Sequence, residues 1–565
     1  MSARQLRVFS LNCWGLKFVS KHRNERIAAI ASYLAKSPYD IVALQELWVF
    51  ADYQKVRESV IEILPYSKFF YSGALGAGLV IFSRFPIIET SVHPYSLNGA
   101  PMDVIAGDWF VGKAAASIVI AHPLLGEVQI FNTHLFAKGG EDGPEHNRAH
   151  RLVNAWEFSK LAKQAADMGR YVIALGDFNS VPTTLPMAII REHAGLSDAW
   201  VVSHPNPSDI SVDMTSSQDM IQHFGVTADS PMNSYSAGKP LDPHARKFLG
   251  KRLDYVFYRH PSRPKATQNN TLTCSSTKVA LTGMVPGHTF SYSDHFGLEA
   301  ILDILPSSEP ISNTQSQLTL TSIDTMTQAL TACHRFSRHR SNRELVVFGL
   351  CILLLLGLIP ASAFIHTWAS PVLSLFTIII AWYATTMLYE GFLYGRWELN
   401  ALMNVIEELE IHRNRLEGQD TGSWCTELLK RSEAKIAGCA ASYGTVLFFE
   451  DSAPLDALAK QIPPLAPHFP VWSANAAGML QFAVWAALEA EGLGASLQHH
   501  AARSPEIAAG IRSAFALPEA WKSTGLMPFG VPVGPSGHPG RGKTFKPIEE
   551  RVEVFHQAFE TEPSG

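Results

Sequence analysis

The nine residues Tyr171-Val-Ile-Ala-Leu-Gly-Asp-Phe-Asn179 decide the fold. An unbroken apolar run of strand length closed by Gly-Asp predicts a strand buried on both faces, not one that alternates between core and solvent. Similar runs recur at 6–12 (LRVFSLN), 41–46 (IVALQE), 117–122 (SIVIAH), 128–135 (VQIFNTHL) and 253–259 (LDYVFYR). Helical patterns lie between them at 24–36 (NERIAAIASYLAK) and 150–168 (HRLVNAWEFSKLAKQAADM). The alternation predicts a sheet-rich α/β (α+β) domain over residues 1–302.

Polar residues gather where these runs end. Asn12 closes the first, Glu46 the second, His134 follows IFNT, and Asp177 and Asn179 close the strand quoted above. Asp254 sits in RLDYVFYR, and Asp294 and His295 form an S-D-H triplet. Charged and amide groups at the ends of buried strands cost free energy unless they converge on solvent, a metal or each other. Singly, Asn12 and Asp177 also read as strand-end turn formers and His134 as a core histidine; six ordered sites together favour convergence. Hard oxygen donors suit Mg²⁺, and soft ligands are too few for structural zinc.

The motifs N-C-W-G, Q-E, T-H-L, G-D-F-N, R-L-D-Y and S-D-H, in this order, resemble those of the endonuclease/exonuclease/phosphatase superfamily of Mg²⁺-dependent phosphoesterases. L-N-C-W-G-L, S-G-x-x-G-x-G-L and A-H-R narrow the resemblance to neutral sphingomyelinases and fungal inositol phosphosphingolipid phospholipases C. The resemblance implies a two-layered β-sandwich flanked by helices and a sphingolipid substrate. It assigns Glu46, Asn12 and Asp294 to the metal and His295 to the general base, with Asp254 orienting its ring. Asp177 and Asn179 would position nucleophile and phosphate, and His134 would stabilise developing charge. Gly107-x-x-x-x-Gly112-Lys113 lacks the Ser or Thr of a nucleotide loop, since Ala114 follows, so ATP binding is not expected. In the family pattern Asp108 and Lys113 answer to anionic phospholipid activators, where a plain reading of the residues gives a surface salt bridge or solvated loop; His150 and Arg151 of A-H-R read either as headgroup contacts or as a helix cap or ion pair. Asp103, Val104, Ile105, Trp109 and Phe110 would suit a loop touching a bilayer.

The rest of the 565-residue chain is greasier than a soluble surface allows: 47% of residues are hydrophobic and 17% charged, against roughly 25% charged in ordinary domains. With 46 Lys and Arg against 51 Asp and Glu, the net charge of −5 gives no basic surplus for nucleic acid, and no nucleic-acid partner is expected. Six cysteines without C-x-x-C spacing indicate no disulfide framework. Between Glu344 and Glu390 no Asp, Glu, Lys or Arg occurs. Two apolar blocks, 345–364 and 372–388, are parted by His366, Trp368, Ser370 and Pro371. Each approaches the ~20 residues that cross a bilayer, so 345–390 predicts a transmembrane hairpin. Arg335, Arg338, Arg340 and Arg343 precede it and place both termini in the cytosol. Without a leader-like start, the endoplasmic reticulum fits best.

Residues 303–344, rich in Ser, Thr and Gln, read as linker, and 391–435 as a juxtamembrane helix with linker. Residues 436–565 read as a separate α+β module whose long apolar helix stops at Gly492-Leu-Gly494. Its wording resembles the C-terminal part of fungal FMN-dependent nitroreductase-like proteins. That resemblance implies Gly492, Gly494 and Ala495 near a flavin phosphate, with Lys543 or Lys546 in reach. The family's N-terminal portion has no counterpart here, so the module reads as a remnant or a joined gene, and a complete FMN site is not expected.

Overall fold

The computed structural model describes residues 4–103, 107–139, 143–205, 216–263, 270–306, 318–419, 441–498, 505–518 and 520–532. It divides into two units, Met1–Leu416 and Glu417–Gly565.

Among the described residues the first unit is built on twelve strands. They are β1 (Gln5–Asn12), β2 (Ile41–Gln45), β3 (Tyr66–Phe69), β4 (Val80–Ser83), β5 (Ile87–Pro94) and β6 (Ala114–His122). Then come β7 (Gly126–His134), β8 (Tyr171–Asp177), β9 (Ser197–Asp198), β10 (Asp254–Arg259), β11 (Asn270–Ala280) and β12 (Gly297–Pro306). One sheet runs β11-β12-β1-β2-β4-β3, the other β5-β6-β7-β8-β10-β9. The sheets stack, and Leu6, Val8, Ile41 and Ala43 of the first meet Ile118, Ile130, Ile173 and Leu175 of the second. Alternate residues of the same strands, Phe9, Leu11, Val42 and Leu44, face Ile27, Ile30 and Leu34 of the helix Arg23–Ala35 on the outside. Both faces of β1 and β2 are therefore covered, which is why their sequences are continuously apolar. On the far side Val172 and Ala174 pack beneath the helix Glu145–Asp167 through Leu152, Trp156 and Phe158.

The stretch expected as linker is different. Strand β12 continues to Pro306, and a single 42-residue helix, Leu320–Ala361, begins well before the apolar block. Its first turns carry Ile323, Met326, Leu330 and Cys333 at helical spacing into the core around Glu145–Asp167. Packing of that stripe overrides the low helix propensity of the intervening Thr and Ser. The helix then enters the apolar block, where Leu350, Leu353, Leu356 and Ile359 lie exposed. Short 3₁₀ turns lead to the helix Ser370–Leu388, whose Val372, Leu375 and Trp382 are likewise exposed. These helices are long and apolar enough to cross a membrane. After a π turn at Tyr389–Tyr394, the helix Gly395–Gln419 returns to the same core through Leu402, Val405 and Leu409. The juxtamembrane helix is thus part of the first unit's core.

The second unit holds a three-stranded antiparallel sheet, β13 (Gly444–Asp451), β15 (Trp521–Gly530) and β14 (Gly494–Ala495), with the helices Ser452–Gln461 and Phe469–Ala490. Among its described residues the buried hydrophobic side chains are Phe448, Phe469 and Met527, while Val471, Trp472, Met479 and Phe482 are exposed.

Candidate active site

Strand register brings the polar strand ends together. In the parallel pair β1–β2 Asn12 stands opposite Gln45, and in the parallel pair β7–β8 His134 stands opposite Asp177. Antiparallel β10 begins where β8 ends, with Asp254 opposite Asp177, and antiparallel β12 begins just after His295. All these residues therefore lie along one edge of the sandwich.

Two close backbone approaches make that edge. A Cβ on Gly15 would lie 2.5 Å from the carbonyl oxygen of Glu46, and one on Gly176 2.1 Å from that of Thr133. The glycines of N-C-W-G and G-D-F-N are thus required by contact between neighbouring strands. Glu46 (φ 55°) and Asn179 (φ 46°) adopt left-handed backbone, a strain of about 1–3 kcal/mol each that collects at functional sites.

The side chains form a connected cluster. Asn12 Nδ2 donates to Glu46 Oε1 at 3.1 Å and to Asp177 Oδ2 at 3.0 Å. His134 Nε2 lies 3.4 Å from Asp177 Oδ2 and 4.0 Å from Glu46 Oε1. His295 Nδ1 meets Asp254 Oδ2 at 2.8 Å, leaving Nε2 3.9 Å from Asp177 Oδ2. The Asn179 amide N–H donates to Asp177 Oδ1 at 2.9 Å, and its side chain donates to the Leu135 carbonyl. Ser293 Oγ ties Asp294 to the backbone of Asn12.

Charge is out of balance here. Burial, then the charge of Asp294, pushes Glu46 up to about 7, and burial pushes Asp177 up to about 6. Asp294 is raised too, again by burial. Burial opposes protonation of His295, but Asp254 and Asp177 hold it well above the usual imidazole range; burial and the Lys113 charge hold His134 well below it. Crowded carboxylates with raised pKa values suit a cation among them, and the oxygen donors of Glu46, Asp177 and Asp294 fit Mg²⁺. As placed, Asn12 turns its oxygen to the Trp14 N–H.

Lys113 is closer to this chemistry than its motif implied. It is 2% exposed, pairs with Asp108 at 2.9 Å, and sets Nζ 3.3 Å from His134 Nε2 and 2.9 Å from the Leu135 carbonyl. Asp103 pairs with Lys138, and the Trp109 ring packs edge-on against Phe110 and Tyr389. Val104 and Ile105 lie outside the described residues.

The two headgroup candidates separate. Arg151 donates to the Asn179 carbonyl and lines the site's cavity. His150 points elsewhere, because its position on the helix Glu145–Asp167 turns it to the junction with the apolar helices. There Nδ1 accepts from the Gly99 N–H at 3.0 Å and Nε2 meets Glu398 Oε1 at 3.0 Å. Glu398 also accepts from Arg340 and from Tyr394 Oη. His150, Cys333 and Glu398 have ligand atoms close enough for a metal. Yet Nδ1 accepts a hydrogen bond, so the ring proton occupies the nitrogen facing Glu398, and Arg340 already neutralises that carboxylate. Burial pushes the Cys333 thiol up to about 12. This is a structural charge cluster.

Sequence reading missed the wall of the cavity. It holds about 450 Å³ and is lined by Arg151, Asn179, Asp294 and His295 together with Asp229, Ser236, Lys239, Asp242 and Lys251. The latter five come from turns without periodicity, so no pattern marks them. In the second unit Gly492 has φ 75°, and Gly494 and Ala495 pair with β15; Lys543 and Lys546 lie outside the described residues.

The chain is 39% identical over 418 residues to the inositol phosphosphingolipids phospholipase C of Schizosaccharomyces pombe, covering 72% of this chain and 94% of that protein. It is 33% identical over 312 residues to rat sphingomyelin phosphodiesterase 2, covering 54% of this chain and 68% of that protein. A 117-residue segment is 36% identical to nitroreductase FRM2 of Saccharomyces cerevisiae, covering 20% of this chain and 54% of that protein. The Endonuclease/Exonuclease/phosphatase family model matches residues 9–295, spanning every strand-end residue of the cluster, and the chain belongs to that family.

Proposed function

We propose that this chain is a membrane-anchored, Mg²⁺-dependent phospholipase C that hydrolyses inositol-bearing sphingolipids to ceramide and a phosphorylated headgroup. The observation that carries the reading is the meeting of Glu46, Asp177, Asp254, His134 and His295 at one sandwich edge, in a chain similar to a named inositol phosphosphingolipids phospholipase C along nearly all of that protein.

Glu46 and Asp294, with Asn12 beside them, would hold the ion, which would supply Lewis-acid neutralisation of the phosphate oxygens. In its neutral form His295 takes a proton from water at Nε2, because Asp254 fixes the other ring nitrogen. The water oxygen bonds to phosphorus as the bond from phosphorus to the ceramide oxygen breaks, and the proton ends on ceramide. Asp177 and Asn179 position the attacking water and the phosphate. His134 and Lys113 face the charge that builds on the equatorial oxygens. The Asp108–Lys113 pair gives anionic phospholipid a handle on His134. The apolar hairpin anchors the protein with both termini cytosolic, in the endoplasmic reticulum, and raises the local concentration of a bilayer substrate. The second unit takes no part in this chemistry and is not assigned FMN.

The test is product analysis with the full chain in vesicles of defined lipid, with Mg²⁺ and with chelator. Ceramide and an inositol phosphate are expected only with Mg²⁺. Cleavage of duplex DNA or of a soluble inositol polyphosphate, without lipid hydrolysis, would overturn the reading.

A further inference from the structure

One loop at the catalytic edge is apolar where a loop in water is ordinarily polar. Residues 69–83 (FFYSGALGAGLVIFS) carry no charged side chain, and between strands β3 and β4 they expose Tyr71 (63%), Ala74 and Leu75 (53%). Turns in water favour Asn, Asp, Ser and Pro beside glycine; here the glycines fit and their apolar neighbours do not. The tip is also held firmly. A Cβ on Gly73, whose φ is 58°, would lie 2.6 Å from Gly112 Cα. The Leu75 N–H donates to the Phe110 carbonyl at 3.1 Å, and the Gly112 N–H donates to the Gly76 carbonyl at 3.0 Å. The two loops therefore form one platform.

This platform joins the apolar helices to the catalytic residues. On one side the Trp109 ring meets Tyr389, the residue that follows the helix Ser370–Leu388, with ring centroids 6.3 Å apart. The Tyr394 hydroxyl donates to the Gly99 carbonyl at 2.6 Å, and Trp397 Nε1 donates to the Ser96 carbonyl at 2.9 Å. Met102 of the same loop is exposed. On the other side the Leu47 N–H, next to Glu46, donates to the Gly78 carbonyl at 3.0 Å, while Lys113 follows Gly112 towards His134. Exposed apolar side chains are thus carried on joined segments from Tyr389 to Tyr71. An uncharged patch continuous with the apolar hairpin suits a lipid surface.

We infer that the turn 71–76, led by Tyr71 and Leu75, is a second contact with the lipid surface, seated among headgroups beside the hairpin, and that it holds the edge bearing Glu46 and Lys113 against the bilayer. The inference rests on reading the hairpin as a membrane anchor and adds a place where the sandwich itself touches lipid. The anchor brings the domain to the membrane; the second contact sets which edge meets it.

The test uses the full chain with photoreactive benzoylphenylalanine in place of Tyr71, Leu75 or Tyr66, reconstituted in vesicles of phosphatidylcholine and phosphatidylserine. Tyr66 is exposed at the other end of strand β3 and serves as the control. Irradiation should yield lipid adducts, read by mass spectrometry, at 71 and 75 and none at 66. Burying one leucine is worth about tenfold in an equilibrium. Leu75→Asp should therefore slow hydrolysis of a bilayer-embedded sphingolipid about tenfold, leave turnover of a water-soluble short-chain analogue unchanged, and stay with the vesicles through an alkaline wash. Leu75→Phe should restore the bilayer rate. The cross-link keeps the inference testable if Leu75→Asp disturbs folding. Absence of lipid adducts at 71 and 75 in protein that resists the wash, adducts with a second copy of the chain instead, or a folded Leu75→Asp variant that slows both substrates alike would overturn the loop contact and leave the anchor standing. Release of wild type by the wash would overturn the anchor, and the loop contact with it.

Discussion

Two buried charge clusters in the first unit look alike in composition and behave oppositely. At the sandwich edge, Glu46, Asp177, Asp254 and His295 crowd one site; at the helix junction, His150, Arg340, Tyr394 and Glu398 crowd another. At the edge, burial and neighbouring carboxylates drive Glu46 and Asp177 up, and Asp254 Oδ1 is buried without a hydrogen-bond partner. At the junction, burial works against Glu398, yet the His150 hydrogen bond and the charge of Arg340 hold it below the usual carboxylate range. One cluster has the carboxylates to hold a cation; the other is closed on itself. Perturbed groups with unmet demands mark chemistry, and perturbed groups that satisfy each other mark architecture.

The contrast breaks if His295→Ala is harmless. It should lower kcat by about two to four orders of magnitude, the usual range for a general base, with circular dichroism and melting temperature unchanged. Glu46→Gln should cost about two orders of magnitude and flatten the Mg²⁺ titration; a retained metal requirement would remove Glu46 from the ligand set.

At the junction the expected damage is to stability. Glu398→Gln leaves the half-buried Arg340 with Glu344, 3.7 Å away, as its remaining carboxylate partner and should cost about 1.5–3 kcal/mol at neutral pH, the usual worth of a charged hydrogen bond. Because the folded pKa of Glu398 is depressed, its contribution is present above the unfolded value and fades as pH falls through the folded one. Wild type and variant should thus converge in melting temperature at strongly acid pH. A variant with normal stability and lost turnover would move this cluster into the catalytic machinery.

The smallest effect sharpens the edge cluster. Glu46 has a raised folded pKa of about 7, so in metal-free protein it favours folding below the unfolded value and loses that advantage as pH rises towards 7. Binding a divalent ion needs the ionised form. Mg²⁺ should therefore raise the melting temperature by a few degrees more at pH 8 than at pH 5.5; the same shift at both would refute Glu46 as the titrating ligand.

Much of this edge was readable from sequence because a carboxylate or imidazole that closes an apolar run has few places to go. Asn12, Glu46, His134, Asp177, Asp254 and His295 each announce themselves in that way. Lys113 did not reveal its role, since a lysine following Gly112 carries no sign that it turns inward to His134. The cavity wall from Asp229 to Lys251 stayed hidden for a related reason: turns have no period, and only the bridges from Ala228 locate them. The helix beginning at Leu320 was masked by Thr, Ser and Gln, although Ile323, Met326 and Leu330 keep helical spacing. Tertiary packing settled what local propensity left open.

That helix also has a kinetic consequence. An unbroken rod from the domain core into the apolar block, rising about 1.5 Å per residue, spans roughly 37 Å between Leu320 and Glu344 and permits no swivel. On the proposed reading, with the apolar helices spanning a bilayer, an enzyme mounted this way would not hop between surfaces. It would harvest lipid that drifts laterally beneath it, so its velocity should follow the mole fraction of substrate in its own bilayer and be indifferent to how many vesicles share the tube.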